Sequence, residues 1–326
     1  MTTHPITLHQ NEAQSITTIN HNIDPRSIEL IRAGKSQRTR ELYVENFNRF
    51  QDWANENRFP SIPASSKAIE QYLHHLIGQE YKVSTIELAL QSIKAIHEAV
   101  GQTFPAVPFL KEMMRGLKKT KGTKKRQAKP LTIDLMARGL SKENTVIAKR
   151  DRALVLVAFA GALRRSEICE LTIGDVDFKE EGIVLTIQQS KTDQEGEGRQ
   201  IPIHRSHDEN NWMCPVKAMK EWLDIVKGEN TQSTEPLFRS IKKGGHVQGA
   251  ITDGSISRLV KKVAKTAGED VAGYSGHSLR SGYVTEAARR GAQSHQIMMV
   301  TGHKSDAMVR TYIRSGRLFM DTVSLL

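Results

Sequence analysis

Cysteine is scarce in this sequence, and long hydrophobic runs are absent. Only Cys169 and Cys214 occur among its 326 residues, too few for a disulfide framework and typical of a reducing cytosol. The longest apolar run, Ala153 to Leu163, is too short to span a bilayer. No lysine or arginine precedes Arg26, and no continuous apolar core lies before it, so a secretory signal is not expected. These absences predict a soluble cytoplasmic protein with no membrane partner.

Positive charge exceeds negative charge. Lysine and arginine total 47 against 36 aspartates and glutamates, which gives a net charge of +11 and an isoelectric point near 9.6. This balance favours a polyanionic partner, although many basic proteins are merely soluble. The length of 326 residues is sufficient for two domains with separate cores.

The first third of the chain is patterned as helices. Residues 1–26 are polar and show no sustained period, which is typical of a disordered tail. Residues 27–117 are predicted to form a compact helical domain, because apolar side chains such as Phe47 and Phe50 recur at helical spacing. Aromatic residues at this spacing indicate a core rather than base-stacking platforms. Three helix starts are predicted by their capping residues: Ser36, Ser65 or Ser66, and Ser84 with Glu87 as a capping box.

A basic segment follows at residues 118–129. It carries seven cations in twelve positions and no large apolar residue, which is typical of a solvated linker. Because well-patterned segments flank it, we also expect it to make phosphate contacts. The cations are Lys118, Lys119, Lys121, Lys124, Lys125, Arg126 and Lys129.

Residues 130–326 combine helices with a small amount of strand. Ala153 to Ala160 is apolar on nearly all sides, which indicates a central buried helix. Gly182 to Ile187 reads as a strand, with Arg199 to Ile203 as its partner across a polar loop that starts near Lys191. Further helices are predicted at Pro215 to Val226 and at Ser255 to Ala267.

Residues 276–314 gather several groups suited to phosphate chemistry. His277 and Arg280 stand three residues apart on a predicted helix that ends at Gly291. A short apolar segment then ends at Gly302, and His303 follows in the turn. Tyr312 comes nine residues after His303, on a helix with an expected cap at Ser305 or Asp306. Two imidazoles, a guanidinium and a phenol could together hold a phosphodiester and attack it.

These motifs resemble the tyrosine recombinase (phage integrase) family. The first arginine motif of that family is similar to Leu163-Arg164-Arg165-Ser166-Glu167, with Arg164 in the catalytic position. The H-x-x-R motif is matched by His277 to Arg280, the Gly-His dipeptide by Gly302-His303, and the nucleophile by Tyr312. The catalytic lysine of the family lies on a β-hairpin, where Lys191 stands here.

The resemblance implies a role for each of these residues. Arg164 and Arg280 would bind the non-bridging phosphate oxygens through paired donors. Tyr312 would attack, and His277 would accept its proton, because a phenol with a reference pKa of about 10 is a poor nucleophile at neutral pH. His303 would hydrogen-bond the phosphate, and Lys191 would protonate the departing 5′ oxygen. Glu167 would orient its neighbours, and no metal or cofactor is expected.

The resemblance also implies the fold class and the partners. The fold expected is mainly α with a small β-sheet: an N-terminal helical core-binding domain of the SAM-like type and an α+β catalytic domain, clamp-like around DNA. The activity expected is site-specific recombination through a 3′-phosphotyrosyl intermediate, in a cytoplasmic, nucleoid-associated enzyme of a mobile genetic element. The partners would be double-stranded DNA, three further copies in a homotetramer on two DNA sites, and accessory DNA-bending proteins.

Several alternatives stay open at this point. Tyr274 lies close to His277 and is the one serious rival to Tyr312 as nucleophile. His204, His207 and Cys214 could suggest a metal, although their spacing does not support one. The activity could be relaxation of DNA by a type IB topoisomerase-like reaction, or the chain could be a non-catalytic architectural DNA-binding protein. The apolar C-terminal tail could dock on a neighbouring protomer or on its own domain.

Overall fold

The computed structural model describes residues 37–105, 108–122, 127–188, 198–208 and 210–303. The chain divides into two compact units, Met1–Lys125 and Arg126–Leu326. Within the described residues no helix has the length and apolar character needed to span a membrane.

The first unit is helical throughout the part that the structure describes. Its helices are α1 Gln37–Glu56, α2 Ser66–Gly78, α3 Val83–Ala99 and α4 Pro108–Lys121. Phe47 and Phe50 of α1 are fully buried, and the Phe50 ring meets Tyr72 of α2 edge-on with centroids 5.1 Å apart. The prediction that these aromatic residues form a core is confirmed.

The helix starts of the first unit agree only in part with the sequence prediction. The cap at Ser65 is confirmed, because its Oγ accepts a hydrogen bond from the Ala68 backbone nitrogen at 3.1 Å. The capping box at Ser84 is wrong. Helix α3 begins at Val83, which places Ser84 inside its first turn, and Glu87 forms an ion pair with Lys118 of α4 instead. The predicted cap Ser36 lies outside the described residues.

Helix α4 extends into the segment predicted as a linker. Its last turn contains Lys118, Lys119 and Lys121, and Gly122 follows with a φ of +71°. Leu117 is buried against the core of the unit, so packing sustains the helix, and cations in a last turn interact favourably with the helix dipole. The start of the predicted linker is therefore corrected to the glycine that ends the helix.

The second unit contains seven α-helices among its described residues. These are α5 Ile133–Gly139, α6 Val146–Ala160, α7 Arg165–Glu170, α8 Pro215–Val226, α9 Asp253–Thr266, α10 His277–Arg289 and α11 Ser294–Thr301. Helix α6 is the predicted central helix, and its residues Ala153 to Ala158 are all buried. Trp222 of α8 is also fully buried in this core, where its Nε1 donates to the Leu237 carbonyl oxygen at 2.8 Å.

Two small antiparallel sheets complete the second unit. The strands are β1 Val176–Phe178, β2 Gly182–Ile187, β3 Arg199–His204, β4 Arg239–Ile241 and β5 Val247–Ala250. The first sheet has the order β1-β2-β3, and the predicted pairing of β2 with β3 is confirmed by the register Leu185 opposite Ile201. Strand β1 and the β4–β5 hairpin were not predicted, because segments this short show no clear alternation.

Candidate active site

Arg164 and Glu167 are brought together by the start of α7. Arg164 occupies the residue before the helix, and its Nη1 lies 2.6 Å from Oε1 of Glu167. The second carboxylate oxygen of Glu167 accepts the backbone N–H of Arg164 at 2.8 Å. The Glu167 side chain has no exposed surface, so its charge is balanced inside the protein. The carboxylate thus closes the first helical turn and holds the guanidinium in one position.

Arg199 is a second guanidinium at this carboxylate, and the sequence analysis missed it. Its Nη2 lies 3.0 Å from Oε2 of Glu167, and its Nη1 donates to the Val300 carbonyl oxygen at 2.8 Å. A signal was available, because alternation along β3 places Arg199 on the same face as Ile201 and Ile203, which are buried. A cation at an inward position of a strand needs a buried partner.

Two separate constraints favour glycine at position 302. It ends α11 in the left-handed conformation, with a φ of 63°. A Cβ at this position would also lie 2.6 Å from Nη1 of Arg199. The close approach of Arg199 therefore explains the glycine before His303 as much as the turn does.

Arg280 and His303 are in contact at the turn that ends α11. Arg280 is almost entirely buried, and its Nη1 donates to the Ala162 carbonyl oxygen at 2.8 Å. Its Nη2 contacts the Thr301 carbonyl oxygen and lies 3.2 Å from Nε2 of His303. Arg164 reaches the same turn, with its Nη2 3.4 Å from the Gly302 carbonyl oxygen. Both catalytic-motif arginines and His303 thus converge on the end of α11.

His277 lies at the first turn of α10, three residues before Arg280. Ser278 stabilises this turn, because its Oγ accepts from the Ser275 backbone nitrogen at 3.0 Å and its carbonyl accepts from Leu131 at 2.9 Å. Gly276 precedes the helix, and a Cβ there would lie 2.1 Å from Cδ of Arg165. Arg280 is buried, whereas His277 is exposed. Of these two motif residues, His277 is therefore the one accessible from solvent.

Desolvation by the surrounding chain, together with the charges of the arginines, lowers the pKa of both imidazoles. For His277, desolvation by the surrounding chain is the larger cause, followed by the charges of Arg280, Arg165 and Arg164. Burial and the charge of Arg280 are the main causes that lower the pKa of His303 to about 4. Both rings are therefore neutral near pH 7, and a neutral His277 can accept a proton.

Three of the described tyrosines are poorly suited to act as nucleophiles. Tyr274 is buried, its hydroxyl donates to Oε2 of Glu269 at 3.1 Å, and burial with this bond raises its pKa to about 12. Burial also raises the pKa of Tyr283, and it raises that of Tyr72 to about 12. A raised pKa keeps each phenol protonated.

Other predicted residues make contacts of their own or lie outside the described residues. Nζ of Lys121 donates to the Ile77 carbonyl oxygen. Nζ of Lys129 lies 3.9 Å from Oε2 of Glu269 and 5.6 Å from the centroid of the Tyr274 ring. Among the described residues, no group of three or more histidine, cysteine, aspartate or glutamate side chains is arranged to hold a metal ion. This includes the surroundings of His204, His207 and Cys214. The predicted residues outside the described part are Lys191, Tyr312, Lys124, Lys125, Arg126, Ser305, Asp306 and the tail 317–326.

Comparison with known protein families identifies the family of this chain. A family model described as "Phage integrase family" matches residues 135–317, more than half of the chain. A second model, "Phage integrase, N-terminal SAM-like domain", matches residues 26–103. The chain belongs to the phage integrase family.

Similarity to individual relatives identifies the class of enzyme within this family. The chain is 32% identical over 295 residues to an "Integrase/recombinase xerD homolog" of Selenomonas ruminantium, covering 88% of this chain and 84% of that protein. It is 21% identical to the "Recombinase cre" of Escherichia phage P1, covering 95% and 94%. It is therefore a tyrosine recombinase, an enzyme that cleaves and rejoins DNA.

Solved structures share the fold. The Tn1549 transposon integrase in complex with transposon right end DNA matches with a TM-score of 0.61 at 18% identity, covering 97% of this chain and 99% of that one. The XerH site-specific recombinase bound to difH substrate matches with a TM-score of 0.59 at 15% identity, covering 98% and 91%. The predicted fold class, a SAM-like helical domain followed by an α+β catalytic domain, is confirmed.

Proposed function

We propose that this recombinase breaks DNA at a specific site with Tyr312 as nucleophile and holds the broken strand as a 3′-phosphotyrosyl ester. The observation that carries the proposal is the convergence of Arg164, Arg280 and His303 on the end of α11. Tyr312 follows His303 by nine residues, within reach of the same turn along the chain. Donors for one phosphate converge at this turn, and the proposal assigns Tyr312 as the nucleophile that attacks it.

Charge explains the roles of the two arginines. A phosphodiester is anionic, and attack by a phenoxide adds negative charge in a pentacoordinate transition state. Arg164 and Arg280 would share the non-bridging oxygens, each with a planar fork of donors. Glu167 and the backbone carbonyls on which these arginines rest would keep the forks in position before the substrate arrives. Pre-organised donors stabilise the transition state without a reorganisation cost.

Proton transfers complete the proposed step. The oxygen of Tyr312 forms a bond to phosphorus as His277 takes the phenolic proton, and the bond from phosphorus to the 5′ oxygen breaks. Lys191 gives a proton to that oxygen, so a free 5′-hydroxyl leaves. Attack by a 5′-hydroxyl of another strand reverses each transfer and needs no ATP, because the phosphotyrosyl ester retains the energy of the original bond.

The raised pKa values of other tyrosines support Tyr312 as the nucleophile. Tyr274 is the described tyrosine nearest in sequence to His277, and its hydroxyl is already donated to Glu269. Its pKa of about 12 makes its phenoxide still harder to form than that of an ordinary tyrosine. Tyr274 is therefore a poorer candidate for the nucleophile than an ordinary tyrosine, which supports Tyr312 over this rival.

Double-stranded DNA is the proposed partner. Helix α4 exposes Lys111, Arg115 and Lys119, and Lys124, Lys125 and Arg126 follow in the chain, so this region can contribute sequence-independent phosphate contacts. The XerH and Tn1549 relatives were solved with DNA. We propose a homotetramer on two sites, accessory DNA-bending proteins, a mobile genetic element as the host of the gene, and a nucleoid-associated location in the cytoplasm.

Trapping of covalent adducts tests the proposed function. Cells that express the protein are lysed in denaturant, protein-linked DNA is recovered, and its ends are sequenced. One recurrent break site is expected, with protein on the 3′ phosphate. Adducts scattered over the genome, or joined to 5′ ends, would contradict the proposal.

A second assay separates recombination from the type IB topoisomerase-like alternative. Plasmids that carry one or two copies of the recovered site are incubated with the protein. Exchange that requires two sites is expected, whereas relaxation at one site without exchange would favour the topoisomerase-like reaction. Binding with neither outcome would favour the architectural alternative.

A further inference from the structure

Two contacts of His303 determine where its ring proton lies. Nδ1 is 2.7 Å from Oγ1 of Thr301, and Nε2 is 3.2 Å from Nη2 of Arg280. A neutral imidazole carries one ring proton, and the partners of the two nitrogens decide which of them holds it.

The hydroxyl of Thr301 assigns a proton to Nδ1. Its Oγ1 also lies 2.8 Å from the Ile297 carbonyl oxygen, which can only accept a hydrogen bond. The single hydroxyl hydrogen is donated there, so Thr301 can only accept from His303. Thr301 is fully buried, which shields this arrangement from competing water. Nδ1 must therefore be the donor.

The contact with Arg280 independently shows that Nε2 of His303 carries no proton. A guanidinium has donors only, so the contact between its Nη2 and Nε2 requires a lone pair on the imidazole nitrogen. The two contacts are independent and agree that His303 is neutral with its proton on Nδ1. In this form the nitrogen that faces the arginines cannot donate a hydrogen bond.

A phosphate oxygen is also an acceptor, so Nε2 cannot bond to it in this tautomer. We propose that Thr301 is a positioning residue that holds His303 in the Nδ1–H tautomer, so that His303 takes up a proton at Nε2 when it engages a phosphate. The proton comes from solvent, and Nδ1 keeps its bond to Thr301. This inference rests on the proposed role of His303 as a phosphate contact.

The charges around the ring favour such a switch. His303 is surrounded by Arg280 and His277 of α10, by Arg164 before α7 and by Arg199 of β3, with Glu167 between the last two. Without an anion, these cations and burial hold the pKa of His303 near 4. A bound anion offsets the cations, and an opposite charge within about 4–6 Å raises such a pKa by about 1–3 units, which brings it to about 5–7 and favours proton uptake on the acid side of neutrality.

Nitrogen NMR of the DNA-free full chain tests the tautomer directly. His303→Gln identifies the ring signals by their loss. The wild-type protein and Thr301→Ser are expected to show a protonated Nδ1 and an unprotonated Nε2 near neutral pH. Thr301→Val keeps the side-chain shape but removes the acceptor, which leaves only the Arg280 contact to select the tautomer, so the population with Nε2–H should be larger than in wild type. A wild-type ring with Nε2–H, or Thr301→Val indistinguishable from wild type, would overturn the inference.

Sulfate tests the proton uptake, since it is a tetrahedral anion that does not itself titrate near neutral pH. Titration of His303 is followed with sulfate and with chloride at equal ionic strength. The midpoint is expected to rise by about one pH unit or more in wild type and Thr301→Ser, and by less in Thr301→Val, whose neutral ring can donate from Nε2. An unchanged midpoint in wild type would refute the uptake step. Neither readout needs DNA cleavage, so a chain that forms no covalent adduct would contradict the proposed function and leave the tautomer result standing.

Discussion

Nη2 of Arg199 lies 3.0 Å from Oε2 of Glu167, whose side chain has no exposed surface. The same carboxylate holds Arg164 through its other oxygen. One buried anion therefore positions a guanidinium from the start of α7 and another from the start of β3, two segments distant in sequence. Arg199 also binds the Val300 carbonyl oxygen, so it connects the β2–β3 hairpin to the turn that carries His303.

Replacement of Arg199 should destabilise the protein. Arg199→Met leaves Glu167 buried with one guanidinium fewer, and loss of a buried partner costs about 3 kcal/mol. Arg199→Lys should lose less stability than Arg199→Met, because lysine keeps the positive charge although it lacks the planar donor geometry of the guanidinium. Urea unfolding gives the free energies. Arg205→Met, an exposed arginine just beyond β3, is the matched control and should cost less than about 0.5 kcal/mol. Equal losses in Arg199→Met and Arg205→Met would show that the Glu167 contact contributes little.

Gly302→Ala should act through Arg199. The new Cβ would lie 2.6 Å from Nη1 of Arg199 and would add strain at a φ of 63°, so the guanidinium must leave Glu167 or Val300. Gly291→Ala is the control, because its φ of +85° brings the strain while nothing lies within 4 Å. Gly302→Ala is expected to be the more destabilising by about 2 kcal/mol.

A double variant separates the two causes. In an Arg199→Met background the clash is gone, so Gly302→Ala should cost about as much as Gly291→Ala. Unfolding free energies of the four proteins in the cycle measure this coupling. Additive losses would mean that the glycine serves only the turn.

His303 should make the fold sensitive to acid. Its folded pKa of about 4 lies below the ordinary value of 6.5, so between these values the unfolded chain binds a proton that the folded chain does not. Stability is therefore lost as the pH falls from about 6.5 toward 4. His303→Gln should lose less stability over this range, measured by urea unfolding. His295→Gln, an exposed histidine, should behave as wild type, and an unchanged slope in His303→Gln would contradict the prediction.

Tyr312→Phe should bind DNA with ordinary affinity and form no covalent adduct, because only the attacking oxygen is removed. Denaturing gels after incubation with the recovered site measure the adduct, and gel shifts measure binding. Tyr274→Phe is the companion variant and should still form adduct, since its hydroxyl serves Glu269. The reverse pattern would transfer the nucleophile to Tyr274.

Lys191→Ala should slow cleavage by removing the proton donor to the 5′ oxygen. General acid catalysis contributes about 10²–10⁴-fold, so a loss in that range is expected. A substrate with sulfur at the 5′ bridging position needs little protonation and should restore much of the rate. Lys179→Ala, an exposed lysine near β1 paired with Asp177, is a suitable control. Without selective rescue by sulfur, Lys191 is not the general acid.

Local patterns predicted most of the secondary structure. Helical spacing located the apolar faces of α1 and α2, and an apolar run followed by a partner segment across a polar loop located β2 and β3 with the correct pairing. The prediction failed where local signals competed. Ser84 had the form of a cap, but packing of Val83 in the core began the helix earlier, and the basic residues after Leu117 were assigned to a linker although they extend α4.

The sequence by itself determined the family and the order of the groups in the site, because motif spacings such as His277 to Arg280 are properties of a single helix or turn. Only the tertiary structure decided how those groups are held. Arg199 joins Glu167 across a long separation, and Arg280 rests on carbonyls of two other segments. The tautomer of His303 likewise depends on Arg280, a residue from another helix. Such contacts follow from the path of the whole chain, and no local spacing encodes them.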